Sequence, residues 1–274
     1  VLDKYLLFIL KKIDTKDLVP NLSYPSLNIN EIAKIEIPIP DLFTQKQIVE
    51  ELDSYQKIID GCRQIIQNYK TSIDIDPSWE MLELGDVADF QNGFAFESKD
   101  YVKDGIQLIK IGNIKQNFFD YSNKPSYLPV DYKKKYKKFV IKSEDILISM
   151  TGTTGKNDYG FVCRVNNGEY LLNQRVGKIS LKNEDKILKD YLYSYLISQK
   201  FHSDVIKNSS GGVRQANVSG QNILKIQIPI PKKNIQKDKI IKFNENLDFI
   251  ELSKKIIIQN ERLIKEKISK IWSD

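Results

Sequence analysis

Histidine and cysteine are scarce in this chain, which has one histidine, His202, and two cysteines, Cys62 and Cys163, among 274 residues. The cysteines lie far apart and form no Cys-x-x-Cys pair, so the sequence indicates neither a disulfide framework nor a zinc site. A single histidine in a tyrosine-rich helical segment is more typical of a structural residue than of a base or a metal ligand. We therefore expect no cofactor and no metal, and a reducing, cytoplasmic environment.

Long apolar runs are also missing, since no stretch reaches the roughly 18 residues that a membrane span needs, and the chain shows no signal peptide. With 41% hydrophobic and 28% charged residues, the composition is that of a globular protein with a sizeable core. The net charge of +6 permits a polyanionic partner but does not establish one. Because Val1 falls in what reads as the tail of a repeated unit, we expect a fragment of a longer protein or a natural truncation.

One stretch occurs twice: residues 26–40 and 217–231 match at seven of fifteen positions and both end in Ile-Pro-Ile-Pro. Each copy alternates apolar and polar residues like a half-buried strand, and its Pro-x-Pro is expected to end the sheet. Upstream, Tyr5–Leu10 corresponds to Tyr191–Leu196. The sequence thus predicts a repeated unit of helix, loop, strand and long helix.

Two long helices are predicted from heptad spacing, one from Thr44 to about Lys70 and one from about Gln236 to Trp272. The second keeps its alternation of three and four only if Lys254 and Glu261 are counted as seam positions. Two such helices most simply pack on each other, although each could instead pack on its own β domain.

Between the long helices, short alternating segments separated by Gly and Asn clusters predict a mainly β domain over residues 79–231. Its one clear helix is expected from about Lys189 to Asn208. The fold class is therefore α+β, with a mainly β domain flanked by two long helices that pair as an antiparallel coiled coil.

Motifs for catalysis are weak. Asp76-Pro77-Ser78-Trp79 is similar to a methyltransferase motif, but it lies in a linker without a preceding strand or a glycine-rich cofactor loop. The segment from Gly152 to Lys156 lacks the spacing of a phosphate-binding loop. Pro40-Asp41 imitates a nuclease motif, yet the repeat has Lys232 where Asp41 stands. We predict a non-catalytic chain.

The chain resembles the C-terminal part of a specificity subunit of type I restriction-modification enzymes. The resemblance rests on segments that occur in order along nearly the whole chain: Trp79–Val87, Gln91–Phe96, Leu108–Ile114, Asp145–Lys156, Leu172–Val176, and the two Ile-Pro-Ile-Pro ends with Gln45 or Gln236 opening the helix. It implies a tail of a preceding target-recognition domain at 1–43, spacer helices at 44–76 and 235–274, and a complete recognition domain at 77–234.

The resemblance further implies sequence-specific binding of double-stranded DNA and docking of methyltransferase subunits, with the restriction subunit and self-association through the helices as further expected contacts. A protein that recognises a DNA sequence needs polar side chains on loops that a rigid scaffold holds in place. We therefore expect DNA contacts from Lys110, Asn113, Lys115, Lys156, Asn157, Tyr159, Asn173, Arg175, Arg214, Gln215 and Asn217. Five lysines between 133 and 138 form the densest basic run, which is either a phosphate grip or a solvated helix face.

Two other functions stay open at this point. One is the recognition region of a single-chain restriction and methylation enzyme, which depends on what precedes Val1 in the gene. The other is a coiled-coil interaction protein, which would show no salt-dependent affinity for DNA.

Overall fold

The computed structural model describes residues 1–11, 13, 29–69, 73–211 and 215–273, without the side chains of Ile29 and Glu31. The chain divides into two units: Val1–Lys70 with Asn246–Asp274, and Thr71–Glu245. Within the described ranges, no helix is both long and apolar enough to cross a membrane.

Helices build the first unit. They are α1 (Asp3–Leu10), the short α2 (Ile29–Ile32), α3 (Leu42–Asn68) and the C-terminal part of α9 (Lys233–Ile271). Apolar side chains of α1, α3 and α9 form one core, which contains Tyr5, Phe8, Ile9, Ile48, Leu52, Ile59, Ile264 and Ile268. The prediction of two long helices is confirmed, with α3 ending two residues before the predicted Lys70.

Contacts between α3 and α9 show that the two helices run antiparallel. Glu51 binds Lys267 at 2.6 Å, Arg63 binds Glu261 at 3.3 Å, and the ring of Tyr69 lies 5.3 Å from that of Phe249. As the residue number increases along α3, the residue number of its contact in α9 decreases, as antiparallel pairing requires. The predicted fold class is confirmed. The two long helices pack on each other rather than each on a separate β domain.

The seam of α9 differs from the prediction at two positions. Ser253 and Asn260 are buried, with 3% and 7% of their surface exposed, whereas Lys254 is exposed. A 3, 4 spacing from Ile250 through Ser253, Ile257 and Asn260 to Ile264 keeps one stripe on the helix without a charged seam residue. A charged side chain is costly to bury, so the stripe runs through the smaller polar residues instead.

β-Strands dominate the second unit, Thr71–Glu245. One antiparallel sheet has the order β10 (Val162–Arg164), β8 (Ile146–Ser149), β12 (Val176–Leu181) and β2 (Ala88–Asn92). A mixed sheet has the order β6 (Tyr127–Leu128), β3 (Ile106–Ile109), β11 (Glu169–Leu172) and β7 (Val140–Lys142), with β11 and β3 parallel. A three-stranded sheet, called the smaller sheet below, has the order β13 (Ser210–Gly211), β14 (Gln215–Asn217) and β9 (Thr151–Thr153). Two further sheets in the described part of this unit have two strands each. In one, β4 (Ile114–Lys115) pairs with β5 (Phe118–Phe119), and in the other, β1 (Glu80–Glu83) pairs with β15 (Gln227–Ile230).

Short helices connect these strands: α4 (Leu84–Val87), α5 (Tyr132–Lys135), α6 (Lys189–Leu196), α7 (Gln199–Lys207) and α8 (Gly220–Leu224). The single helix predicted over 189–208 is wrong, because two helices occupy that range. The first helix ends at Leu196, and Ser198 caps the second by accepting a hydrogen bond from the Phe201 amide at 3.3 Å. A serine at this position competes for backbone donors and favours a new helix start.

The repeated stretch is not one strand, contrary to the prediction. In the second copy Asn217 ends β14, Ser219 caps α8, and residues 227–230 form a separate strand, with Pro229 inside it opposite Met81. In the first copy, α2 is followed by residues 35–40, which pair with no strand among the described residues. The predicted sheet stop at Pro-x-Pro is therefore also wrong for Pro229, because an edge strand tolerates a missing donor.

The two copies nevertheless share the same hydrogen bonds. Gln45 Nε2 donates to Pro40 O at 2.7 Å and Gln45 Oε1 accepts from Leu2 N at 2.9 Å. Gln236 repeats both bonds, to Pro231 O and from Leu188 N, each at 2.8 Å. We call each set a glutamine lock, because one buried amide joins the Pro-x-Pro end, the long helix and the upstream helix.

Tyrosines add an equivalent bond to each lock. Tyr5 Oη donates to Pro38 O at 2.8 Å, and Tyr191 Oη donates to Pro229 O at 3.2 Å. The structural repeat predicted from the sequence is therefore confirmed in its contacts.

Candidate nucleic-acid interface

The smaller sheet gathers four of the predicted DNA-contact residues. Strand β14 carries Gln215 and Asn217, both exposed, and pairs with β9 so that Gln215 lies opposite Thr153 and Asn217 opposite Thr151. The turn after β9 carries Lys156 and Asn157, which are also exposed. A strand pair with its turn thus brings together residues that are about sixty positions apart in sequence.

Hydrogen bonds hold this sheet in shape. Asn217 Oδ1 accepts from Thr151 Oγ1 at 2.8 Å and from Gln215 Nε2 at 3.2 Å. Asp158, which the sequence prediction did not include, accepts from the Thr153 amide at 2.6 Å, and this bond holds the pKa of its carboxyl below the usual range. The turn that presents Lys156 and Asn157 is therefore closed by a charged cap.

A second loop, residues 173–175, lies beside the smaller sheet. The Met150 amide donates to the Arg175 carbonyl at 3.0 Å, and the Val218 amide donates to the Met150 carbonyl at 3.0 Å. Arg175 is exposed and Asn173 is half-buried. Met150 thus joins the Arg175 loop to the end of β14, so that Arg175, Gln215 and Asn217 share one region of the unit.

Gly93 allows the backbone of residues 93–94 to lie against the backbone of the 173–175 loop. A Cβ at Gly93 would lie 2.1 Å from the carbonyl oxygen of Asn173, closer than any side chain permits. The next residue, Phe94, donates to Leu172 O and accepts from Gln174 N, both at 2.9 Å. The resemblance segment Gln91–Phe96 therefore contains a glycine because two backbones touch there.

We expect Gly93→Ala to displace the 173–175 loop and to cost about 1–3 kcal/mol, as overpacking usually does. Thermal denaturation measures this cost, and Gly155→Ala provides a control with no atom near the added Cβ but with strain from its φ of +80°. A Gly93→Ala protein as stable as the wild type would show that the loop is not fixed by this contact.

Two of the predicted residues point inward. Asn113 has 1% of its surface exposed, and its amide donates to the carbonyls of Asp120 and Asn123, both at 2.9 Å. Tyr159 has 3% exposed, and its hydroxyl donates to Ser209 Oγ at 2.6 Å. Both side chains are satisfied within the unit, so we omit them from the interface proposed below.

The remaining predicted residues lie apart or outside the described part. Lys110 is half-buried and donates to Ser126 Oγ at 2.7 Å, whereas Lys115 is exposed on β4, which belongs to a different sheet. Arg214 falls in 212–214, outside the described residues, so its prediction carries no structural description. Its neighbours Gly211 and Gln215 both belong to the smaller sheet.

Residues of the doubtful catalytic motifs have structural contacts. Asp41 caps α3 by accepting from the amides of Phe43 and Thr44 at 2.9 and 3.0 Å, and the bond from Thr44 lowers the pKa of its carboxyl. Asp76 accepts from both donors of Ser78. His202 Nε2 lies 2.8 Å from Tyr159 O, and its ring stacks on Phe161. No group of three metal-ligating side chains occurs in the part of the chain that the structure describes.

Comparison with known proteins identifies a family. A family model described as type I restriction modification DNA specificity domain matches residues 1–69 and 77–262. The chain is 27% identical over 293 residues to the type I restriction enzyme MjaVIII specificity subunit of Methanocaldococcus jannaschii, covering 97% of this chain and 67% of that protein. It is 29% identical over 176 residues to the EcoBI specificity subunit of Escherichia coli, covering 63% of this chain and 33% of that protein.

Solved structures show the same fold. The HsdS subunit from Thermoanaerobacter tengcongensis matches with a TM-score of 0.51 and 15% identity, covering 98% of this chain and 69% of that one. The type I S subunit from M. genitalium matches with a TM-score of 0.54 and 14% identity, covering 98% and 72%.

Proposed function

Because this chain belongs to the family of type I restriction modification DNA specificity domains, we propose that it reads one half of a two-part DNA target and docks methyltransferase subunits. Residues 77–234 would be the recognition domain, 44–76 and 235–274 the spacer helices, and 1–43 the tail of a preceding recognition domain. The family is one of recognition, so the chain is a non-catalytic component, and a cytoplasmic location fits a DNA-binding role.

The gathering of Lys156, Arg175, Gln215 and Asn217 around the smaller sheet carries the recognition proposal. Arginine and the amide side chains can make paired hydrogen bonds to base edges, whereas lysine mainly contacts phosphates. Both kinds of donor are exposed here on strands and closed turns rather than on a loose segment. Such a surface suits a duplex whose backbone fixes the position of the protein and whose base edges are read.

Docking is proposed for the paired helices. Exposed apolar side chains occur on both, with Ile58 on α3 46% exposed, and Leu252 and Ile258 on α9 55% and 68% exposed. A partner protein that docks on these helices would bury such side chains.

Arg175→Ala tests the recognition. We expect affinity for the target duplex to fall about 5- to 150-fold, equivalent to the roughly 1–3 kcal/mol of a paired base contact, with little change for scrambled DNA. The target comes from methylome sequencing of the host with and without the gene, and binding is measured at matched salt with the methyltransferase present. Arg214→Ala, the strongest expectation from the sequence, belongs in the same series.

Arg262→Ala is the matched control, because Arg262 is an exposed arginine on α9 that pairs with Glu266. An equal loss on both duplexes would make Arg175 a phosphate contact. Wild-type protein without any salt-dependent DNA affinity would instead favour a coiled-coil interaction protein.

A further inference from the structure

We propose that a lysine-lined groove between α5, β7 and the start of β11 grips the DNA backbone beside the reading surface. We call it the lysine groove; it is lined by Lys133, Lys134, Lys137 and Lys142 together with Val130 and Glu169. The inference rests on the proposed function, and it assigns phosphates as the ligand of this second surface.

The charge of the groove is strongly positive. Four lysines face one carboxylate, Glu169, which already pairs with Lys133. Lys134, Lys137 and Lys142 are exposed and form no ion pair with any described residue. Unpaired ammonium groups along one groove attract a polyanion, and a duplex supplies regularly spaced phosphates.

Aromatic packing fixes the position of these lysines. Tyr136, which directly follows α5, packs its ring 4.9 Å from that of Phe94 and 5.0 Å from that of Phe96, and Phe139 packs 5.2 Å from Phe94. Lys135 points to the same cluster, with its ammonium 5.3 Å from the Tyr136 ring centre. The short helix is thus anchored, which distinguishes the groove from a solvated charged face that moves freely.

The groove lies at a useful distance from the reading surface. Glu169 is the first residue of β11, and Asn173, in the Arg175 loop, follows its last residue. Four residues of strand span about 13 Å at a rise of roughly 3.3 Å each. The major groove of B-DNA is about 12 Å wide, so a protein reading its base edges near Arg175 would bring the lysine groove to the phosphates at its border.

The test is the double variant Lys134→Gln/Lys137→Gln in the full 274-residue chain, titrated with a random-sequence duplex across a salt series. We expect weaker binding, and a slope of log affinity against log salt that is smaller by roughly 1.8, the value for two lost phosphate contacts. The control is Lys225→Gln/Lys232→Gln, two exposed lysines on either side of β15, which should leave the slope unchanged.

An unchanged slope in the Lys134/Lys137 variant would overturn the inference. The proposed function is tested separately, by comparing the affinity of the wild type for target and scrambled duplexes. If the wild type binds both equally while the Lys134/Lys137 variant has a smaller salt slope, the lysine groove contacts phosphates but the chain does not read the sequence. Wild-type protein that binds no duplex would overturn both.

Discussion

Ile59→Asp is expected to lower the free energy of unfolding of the helical unit by roughly 4–5 kcal/mol. Ile59 on α3 has 1% of its surface exposed and belongs to the core that joins α3 to Ile264 and Ile268 of α9. The substitution removes a buried apolar side chain and places a carboxylate against the apolar side chains of this core, where a charge is costly. Losses of this size are typical of a cavity combined with a buried charge.

The neighbouring isoleucine provides the control. Ile58 is 46% exposed, so Ile58→Asp changes the same residue type on the same helix without burying a charge, and it should alter stability by less than about 1 kcal/mol. Chemical denaturation followed by helical circular dichroism measures both. Equal effects of the two variants would refute the pairing of α3 and α9.

Gln236→Ala has the second largest expected effect, about 3–4 kcal/mol. Its side chain is fully buried and makes three bonds of 2.8 Å, to the carbonyls of Lys186 and Pro231 and from the amide of Leu188. Alanine would remove all three bonds, and a buried backbone group that loses its partner costs about 1–3 kcal/mol. Thermal unfolding of the variant measures the loss.

Gln259→Ala is the matched control, because Gln259 is an exposed glutamine on the same helix. Gln45→Ala should reproduce the effect in the helical unit, since Gln45 is 1% exposed and makes the equivalent bonds. If Gln236→Ala and Gln259→Ala unfold at the same temperature, the glutamine lock does not stabilise the fold.

Strong periodicity explains what the sequence could predict of the fold. The heptads of α3 and α9 extend over several turns, so their existence and pairing are readable from apolar spacing alone. The alternation in Ile-Leu-Lys-Ile-Gln-Ile predicts a strand for the repeated stretch, whereas Ser219 caps a helix of five residues within that stretch. A short helix next to a short strand contains too few residues for the helical or the strand periodicity of apolar residues to be recognised.

The candidate site is harder to predict from the sequence than the helices are, and the reason is different. Glycine and asparagine clusters indicate where turns occur, and the residues near them include Lys156, Arg175 and Gln215. Which of them meet depends on pairing between β9 and β14, which is a long-range contact that no local pattern specifies. The inward direction of Asn113 and Tyr159 depends on the same tertiary packing.

The two glutamine locks have a consequence for how such a protein acquires a new target. Tyr5 and Pro38 are 33 residues apart, whereas Tyr191 and Pro229 are 38 residues apart, yet both pairs form the same hydrogen bond. Five additional residues are thus accommodated between two fixed points without altering the junction with the long helix. In the second copy this interval contains β13 and β14, which belong to the sheet that we propose reads DNA, so a change in its length can alter that sheet and leave the junction with the long helix unchanged. On that proposal, specificity can diverge by changes in length as well as by substitution, at little cost to folding.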